Sequence, residues 1–181
     1  GATGFIGKKL ICELRNQGKK IRILSRRPDP DIESVVCDLY SNKIPNDALI
    51  GVDTIFHLAG FAHNLGNANK FKHLYQSVNV DATVELAKLA LKNNVKKFIF
   101  ISSVKAGEFS SMNSCITEMQ KENPKSVYGR TKREAELKLL EIANNTNMQV
   151  SIIRPALVYG PNVKGNLRLI LQGIKQGWFP P

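Results

Sequence analysis

Cysteine and tryptophan are scarce in this sequence, which has three cysteines and one tryptophan among 181 residues. The cysteines Cys12, Cys37 and Cys115 form no C-x-x-C pair and have no histidine pattern nearby, so we expect neither a metal site nor a disulfide framework. Reduced thiols of this kind are typical of a cytoplasmic protein. No apolar run approaches the ~18–20 residues that a membrane span needs, so we expect no span.

Acidic residues are also few, with 15 Asp and Glu against 26 Lys and Arg and a formal net charge of +11. A basic balance can indicate nucleic-acid binding, but here the basic residues are scattered and no aromatic residues interleave with them. We therefore expect no nucleic-acid partner, and interpret the charge as a basic surface or a site for a polyanionic small ligand. An apolar fraction of 43% and a charged fraction of 23% exclude collagen-like, coiled-coil and disordered classes.

The order of apolar and polar segments predicts an α/β fold. Strands that alternate with helices form βαβ units, and therefore a doubly wound parallel sheet with helices on both faces. The continuous apolar run from Phe98 to Ile101 is typical of a strand buried on both faces. The polar segment from Lys105 to Ser126 is predicted to be a long functional or mobile loop. Predicted helices cover residues 5–17, 75–92, 127–143 and 167–175, and predicted strands cover 21–24, 34–37, 54–58, 98–101 and 150–153.

The chain opens on a glycine-rich segment with the spacing G-x-x-G-x-x-G, directly before the first predicted helix. Glycine lets the backbone turn tightly and approach a pyrophosphate, whose charge is stabilised by the N–H groups at the helix N-terminus. The spacing differs from the common G-x-G-x-x-G, and an ordinary turn with a helix cap would also produce it. The βαβ units that follow favour a dinucleotide site formed by Gly1, Gly4, Phe5, Ile6 and Gly7.

Both ends of the chain look cut. A glycine-rich opening of this kind normally follows a strand, whereas none precedes Gly1, and the tail from Trp178 to Pro181 stops without a terminal element. We therefore expect a fragment of a longer protein. Its predicted parts are a Rossmann NAD(P)-binding domain over residues 1–165 that lacks its first strand, and the start of a mostly missing substrate-binding region over residues 166–181.

The residue after the first predicted strand indicates which dinucleotide binds. An acidic residue at this position holds the ribose 2′-hydroxyl of NAD. Here Ser25 takes that position and Arg26 and Arg27 follow, which suits a 2′-phosphate and favours NADP(H), with NAD(H) as the alternative. A solvated arginine pair would look the same. Asp38 and Leu39, at the end of the next strand, are predicted to lie near the adenine, although a generic strand-end aspartate is the alternative.

A tyrosine and a lysine four residues apart, Tyr128 and Lys132, share one face of a predicted helix. A phenol with a pKa near 10 is a poor base at neutral pH, but a nearby ammonium and the positive charge of an oxidised nicotinamide would lower that pKa. Ser102 and Ser103 end a buried strand at the edge where open parallel sheets bind ligands, and a hydroxyl there can contact the same substrate oxygen. A chance pair on a basic helix and a serine turn cap are the alternatives.

Several segments occur in an order typical of one enzyme superfamily. They are Gly1 to Gly7, Asp38-Leu39, His57-Leu58-Ala59-Gly60, Asn79-Val80, Ser102-Ser103, Tyr128 with Lys132, and Arg154-Pro155 through Tyr159-Gly160-Pro161. Together they resemble the extended short-chain dehydrogenase/reductases, over nearly the whole chain. Within that superfamily the sequence is similar to the bacterial nucleotide-sugar epimerase/dehydratase branch, related to UDP-glucose 4-epimerase and to UDP-4-keto-sugar 4-reductases.

The resemblance implies a role for particular residues. Tyr128 would be the acid/base, Lys132 its electrostatic partner and ribose contact, and Asn79 a support for the catalytic hydrogen bonds. Ser103 would bind the substrate oxygen together with Tyr128, and Asn166 would approach the substrate diphosphate. A nucleotide-diphosphate sugar is implied as the substrate, and a homodimer as the state of the full-length protein. Cofactor contacts are implied for Leu58, Ala59, Gly60, Ser102, Tyr128, Lys132 and Pro155.

Departures from the family pattern narrow the chemistry. The 4,6-dehydratases carry an Asp-Glu pair where this sequence has Val104 and Lys105, so dehydration is not expected, and many sugar epimerases have an asparagine where Leu157 stands. The other residues serve an epimerase and a 4-ketoreductase equally, by hydride transfer at a sugar carbon and with an implied role in surface polysaccharide biosynthesis. The alternatives are an NADPH-dependent reductase of a hydrophobic ketone, of flavonoid or hydroxysteroid type, and a catalytically silent cofactor-binding protein.

Overall fold

The computed structural model describes residues 1–41, 43–62, 71–107, 117–118, 124–161, 163 and 166–178. Within these ranges the helices are α1 (Phe5–Asn16), α2 (Lys72–Gln76), α3 (Ala82–Lys92), α4 (Val127–Ala143) and α5 (Asn166–Lys175). The strands are β1 (Arg22–Ser25), β2 (Glu33–Val36), β3 (Thr54–His57), β4 (Lys97–Ile101) and β5 (Gln149–Ile153). Short 3-10 turns cover Leu39–Ser41 and Val104–Gly107.

Apart from one helix, each predicted element is present with its ends shifted by at most one residue. The end of α1 shows why such bounds can be predicted. Gly18 adopts a left-handed φ of 66°, and its N–H donates to the carbonyl of Arg15, so the helix stops there. The predicted loop from Lys105 to Ser126 begins differently, since the turn Val104–Gly107 takes up its first residues. Residues 108–116 and 119–123 of that loop lie outside the described residues.

The exception is the predicted helix over residues 75–92. The structure begins it earlier, at Lys72, and inserts a π-helical turn over Ser77–Asp81 between α2 and α3. Asn79 lies at the centre of this turn, and its buried side chain is hydrogen-bonded to residues outside the helix. A π turn accommodates one extra residue and often occurs at functional sites. Apolar spacing does not reveal it, because the residues on both sides still have helical periodicity.

The strands pair in parallel, which confirms the predicted doubly wound α/β architecture. β1 pairs with β2, with Arg22 opposite Glu33 and Ser25 opposite Val36. β4 lies between β3 and β5 in a second, three-stranded sheet. The carboxyl ends of β3, β4 and β5 therefore share one edge, and this is the edge at which open α/β sheets bind ligands.

A cleft of about 870 Å³ lies between the β1–β2 pair and the three-stranded sheet. The apolar side chains Leu10, Ile11 and Leu14 of α1 line it, together with Gly1 and residues of β1 and β3. In the described residues β1 and β3 are not hydrogen-bonded to each other. The cleft therefore separates β1 from β3.

The core lies on the face of the three-stranded sheet that α3 and α4 cover. Phe98 and Phe100 are fully buried there, packed with Leu139 of α4. The prediction that residues 98–101 are buried on both faces is wrong, since Ile99 and Ile101 are only partly buried. The reason is that the apolar side chains of α1 face the cleft and do not cover the other side of β4.

Candidate active site

The glycine-rich segment packs tightly against the backbone that follows β3. A Cβ atom on Gly1 would lie 2.4 Å from the carbonyl carbon of Leu58, and one on Gly7 would lie 2.3 Å from the oxygen of Gly1. Both positions therefore require glycine, because neither backbone can move aside. Gly4 is the N-cap of α1 and supplies no side-chain hydrogen bond, so it leaves the N–H groups of the first helical turn for another acceptor. This geometry fits the pyrophosphate of a dinucleotide.

The residues predicted to select the cofactor lie just beyond the carboxyl ends of β1 and β2. Arg26 and Arg27 are exposed, and the Ser25 hydroxyl donates to the carbonyl of Arg27. Asp38 is also exposed, and its carboxylate accepts a 3.1 Å hydrogen bond from the backbone N–H of Tyr40. It therefore caps the 3-10 turn that follows β2, and its contact with the adenine, like that of Leu39 beside it, stays a prediction.

The phenol of Tyr128 and the hydroxyl of Ser103 lie close enough for the serine to lower the pKa of the phenol. Two local features bring them together. The Ser126 side chain caps α4 by accepting a 3.0 Å hydrogen bond from the N–H of Gly129. A Cβ atom on Gly129 would lie 2.3 Å from the carbonyl oxygen of Lys105, so glycine allows the first turn of α4 to contact the turn after Ser103.

Burial raises the pKa of Tyr128 above its usual value, and the neighbouring Ser103 offsets only part of that effect. The prediction that the neighbouring ammonium lowers this pKa is therefore wrong for this arrangement of side chains. The physical reason is that burial of the phenol has the larger effect, and Lys132 is itself buried, which lowers the pKa of the lysine from 10.5 to about 7. The lysine then carries only part of its charge at neutral pH. The effect predicted for a positively charged nicotinamide stays a prediction.

Lys132 lies between the end of β4 and the segment that follows β3. Its Nζ donates a 2.7 Å hydrogen bond to the carbonyl oxygen of Ile101 and lies 3.9 Å from the centre of the Phe100 ring. A Cβ atom on Gly60 would lie 3.9 Å from the same nitrogen. The segment from Leu58 to Gly60, which includes Ala59 and is predicted to run along the dinucleotide, therefore passes beside the lysine. This arrangement fits the predicted contact of Lys132 with a nicotinamide ribose.

Asn79 connects that segment to α4. Its Oδ1 accepts a 2.7 Å hydrogen bond from the N–H of Phe61, and its Nδ2 donates to the Phe61 carbonyl and to Thr131 Oγ1, both at 3.1 Å. Both N–H groups of the Asn79 side chain therefore donate to acceptors within the protein. Because Thr131 directly precedes Lys132 on α4, Asn79 connects the segment after β3 to the helix next to the lysine, which fits the supporting role predicted for it.

Sequence reasoning missed a buried carboxylate, Glu136, which is fully buried on α4 one turn after Lys132. It accepts hydrogen bonds from the side chains of Ser102, Arg133 and Arg154. Its signal in the sequence is its spacing, because it continues the four-residue step from Tyr128 to Lys132 along one helix face.

Sequence reasoning also gave no role to the His57 side chain. Its Nε2 lies 2.9 Å from Thr83 Oγ1, and its ring stacks on Phe100 with the ring centres 5.6 Å apart. Thr83 donates its own proton to the carbonyl of Asn79, so the imidazole is the donor in the first contact. Burial, and the charge of Lys132, lower the pKa of His57 well below 6.5, so the ring is neutral at neutral pH.

The remaining predicted site residues differ in where the structure places them. The Ser102 hydroxyl is directed at Glu136, and its contact with the cofactor stays a prediction. The carbonyl of Pro155 accepts a 3.1 Å hydrogen bond from the N–H of Val104, which joins the end of β5 to the turn after Ser103. α5 begins at Asn166, but the side chain of Asn166 lies outside the described residues, so its predicted diphosphate contact is untested.

The expectations about metal, thiols and membrane concern the described part of the chain. No group of three or more His, Cys, Asp or Glu side chains there has an arrangement that could hold a metal ion. Cys12 is exposed and Cys37 buried, both as free thiols, and Cys115 lies outside the described residues. None of the helices in the described ranges has the length and apolar character to cross a membrane.

Comparison with known proteins gives agreeing results from sequence and from structure. The chain is 33% identical to the UDP-glucose 4-epimerase of Vibrio cholerae, over 98% of this chain and 56% of that protein. It is 32% identical to the N-acetyl-alpha-D-glucosaminyl-diphospho-ditrans,octacis-undecaprenol 4-epimerase of Escherichia coli O157:H7, over 99% of this chain and 54% of that protein. The solved structure of MoeE5 in complex with UDP-glucose and NAD is similar with a TM-score of 0.81 at 29% identity, covering 98% of this chain and 60% of that one. The chain thus spans about half the length of the curated relatives that it matches.

A match to a whole family of proteins covers residues 1–177. That range includes the glycine-rich segment, Ser103, Tyr128 and Lys132, which the structure places along parallel strands and the helices that follow them. The family is described as the NAD dependent epimerase/dehydratase family, and the chain belongs to it.

Proposed function

We propose that the protein is an NAD(P)-dependent nucleotide-sugar epimerase that acts by hydride transfer at a sugar carbon. The observation that carries this proposal is that α4 brings Tyr128 beside Ser103 at the carboxyl end of β4, with Lys132, one turn further along, bonded to the last carbonyl of that strand. A UDP-sugar substrate is supported by the 4-epimerase names of two relatives and by the UDP-glucose in the solved complex. The net charge of +11 also suits a diphosphate.

Tyr128 is the acid/base in this proposal. A bound nicotinamide supplies the hydride acceptor and, after the sugar has turned, the hydride donor. The charge of an oxidised nicotinamide is predicted to lower the pKa of Tyr128, and the phenolate then takes the proton of the sugar hydroxyl while the hydrogen on the same carbon leaves as hydride, so the alcohol becomes a ketone. Ser103 holds the oxygen that changes its bonding. When hydride returns to the other face of the carbon, Tyr128 gives the proton back, and the product is the epimer.

A preference for NADP(H) over NAD(H) is the second part of the proposal. It is supported by the exposed Arg26 and Arg27 and by the absence of an acidic residue at position 25 of the sequence. These arginines also favour a second candidate function, reduction of a 4-keto sugar, because NADPH is the usual reductant in such steps. A role in polysaccharide biosynthesis and a homodimer stay predictions.

Product analysis separates the candidates. The protein is incubated with UDP-glucose, UDP-galactose or UDP-N-acetylglucosamine, with catalytic or stoichiometric NADP(H) or NAD(H), and the sugars are separated by chromatography. An epimerase forms the 4-epimer without net consumption of cofactor, whereas a ketoreductase consumes NADPH only when a 4-keto sugar is added. Val104 and Lys105 replace the carboxylate pair of the dehydratases, so no 4-keto-6-deoxy product is expected. Absence of every one of these products would contradict the proposal.

A further inference from the structure

We propose that Glu136 is the positioning residue of the candidate active site, and that it holds Lys132 and the Ser102–Ser103 segment in a fixed relation to each other. This inference rests on the proposed function, because it assigns Glu136 to the hydride-transfer site. Glu136 is fully buried and bonded to protein side chains only, so we infer that its effect is transmitted through these neighbours.

Each carboxylate oxygen of Glu136 accepts two hydrogen bonds. Oε1 accepts from Ser102 Oγ at 2.5 Å and from Arg154 Nε at 2.8 Å. Oε2 accepts from Arg154 Nη2 at 2.6 Å and from Arg133 Nη1 at 3.0 Å. The contact with Arg154 is thus a bidentate fork, which fixes orientation as well as distance.

The donors come from three different elements that meet at the site. Ser102 directly follows β4 and precedes Ser103, Arg154 directly follows β5, and Arg133 shares α4 with Glu136. A side chain bonded to all three fixes the position of α4 along the strand ends. Because Lys132 lies one turn before Glu136 on this helix, its place relative to Ser103 depends on the same contacts. Misplacement of reacting groups by about 1 Å can cost ~10²-fold in rate.

The carboxylate also acts on Lys132 through its charge. Burial alone would raise the pKa of Glu136, but the hydrogen bonds from Arg154, Ser102 and Arg133 outweigh burial and keep that pKa below its usual value. The ionised Glu136 in turn raises the pKa of Lys132 against the larger effect of burial.

Other titratable groups also face Lys132. Tyr128 lies one turn earlier on the same helix, and His57 of β3 is close enough for the lysine to lower its pKa. His57 is neutral, and Tyr128 with its raised pKa is protonated, at neutral pH. Glu136 is therefore the anionic member of this set, and its charge keeps the lysine protonated to a higher pH than burial alone would allow.

The experiment compares Glu136→Gln with Glu141→Gln, the same change at an exposed position of α4. Lysine is labelled with 13C at Cε, and the Lys132 resonance, assigned by its loss in Lys132→Arg, is titrated by NMR without substrate or cofactor. We expect its midpoint to move to lower pH in Glu136→Gln and to stay at the wild-type value in Glu141→Gln. In the epimerase assay we expect kcat to fall about 10²-fold in Glu136→Gln, with a much smaller change in KM.

A second variant keeps the test decisive if Glu136→Gln does not fold. Glu136→Asp retains the charge but shortens the side chain, so the Lys132 midpoint should remain near wild type while kcat still falls, because the fork to Arg154 is displaced. A folded Glu136→Gln with a wild-type midpoint and kcat overturns the inference, and so does a Glu136→Asp with wild-type kcat.

The outcomes also distinguish this inference from the function on which it rests. If the wild-type protein epimerises no sugar, the proposed function fails. The NMR titration and the affinity for NADPH, measured by its fluorescence, then decide the role of Glu136. We expect weaker NADPH binding in Glu136→Gln than in Glu141→Gln, and equal affinities would overturn the inference.

Discussion

Lys132 and Ile101 are joined by a 2.7 Å hydrogen bond from the ammonium to the last carbonyl of β4. The bond holds the amine in a buried place, where its pKa falls to about 7. Lys132 is therefore only partly protonated at neutral pH, because burial disfavours its charged form. Groups of this kind are typical of functional sites, where position is maintained at a cost to stability.

Replacing Lys132 with methionine should stabilise the protein near pH 6, and this advantage should shrink as the pH approaches ~10. The folded-state pKa is about 7 and the usual value is 10.5, so between these values the unfolded chain binds more protons. The stability of the wild type consequently rises with pH across that window, whereas methionine has no proton to bind.

Thermal unfolding without cofactor at about pH 6, 8 and 10 measures this difference. We expect the Tm of Lys132→Met to exceed the wild-type value by a few degrees at the lowest pH, at about 2–4 °C for each kcal/mol. A Tm difference that does not change with pH would show that burial does not depress the pKa of the lysine.

Two glycine substitutions should give graded effects on cofactor binding. A Cβ atom on Gly7 would lie 2.3 Å from the oxygen of Gly1, whereas one on Gly4 would lie 3.0 Å from the same atom. Gly7→Ala should therefore lower the free energy of unfolding by about 1–3 kcal/mol and weaken NADPH binding strongly. Gly4→Ala should have a smaller effect on both stability and NADPH binding. Urea unfolding and fluorescence titration provide the two measurements. Equal effects of the two substitutions would be inconsistent with the close approach described here.

The fold could be predicted largely from local signals. The bounds of α4 were predicted without error at 127–143, because the apolar positions repeat with helical spacing and polar residues flank them. The end of α1 also depends on a local feature, because Gly18 adopts a left-handed φ directly after the helix. Such signals depend only on residues a few positions apart, so they can be recognised from the sequence alone.

The features that could not be predicted depend on contacts between distant segments. The π turn at Asn79 accompanies bonds to Phe61 and Thr131, and the role of Glu136 depends on Arg154. The raised pKa of Tyr128 has the same origin, because burial is a property of the packed structure. A pattern of residue types places these groups near one another but does not state which of them are buried.

The arginine pair after β1 should determine cofactor preference. The double variant Arg26→Ala with Arg27→Ala should bind NADPH about 10–100-fold more weakly, as expected for the loss of hydrogen bonds to a charged phosphate, and should bind NADH almost unchanged. Arg168→Ala, at an exposed position of α5, is the matched control. Equal losses for the two cofactors would indicate a general surface charge, and unchanged NADPH affinity would remove the arginines from the site.

The cleft between β1 and β3 should accept an added strand. Gly1 lines this cleft of about 870 Å³, so an apolar segment of five or six residues joined before it can pair with both neighbouring strands. We expect this extension to raise the Tm and to reduce binding of an apolar fluorescent dye. A Gly/Ser extension of equal length is the control, and equal behaviour of the two chains would contradict this view of the cleft.

Tyr128 is proposed to exchange a proton with a sugar hydroxyl while a hydride is transferred, and the variant Tyr128→Phe removes the group that would do so. The wild-type and variant proteins are given the same UDP-hexose and cofactor, after fluorescence titration has shown that both bind the cofactor equally. We expect the variant to form epimer ~10²–10⁴-fold more slowly, because only the phenolic oxygen has been removed. Turnover by Tyr128→Phe at close to the wild-type rate would contradict it.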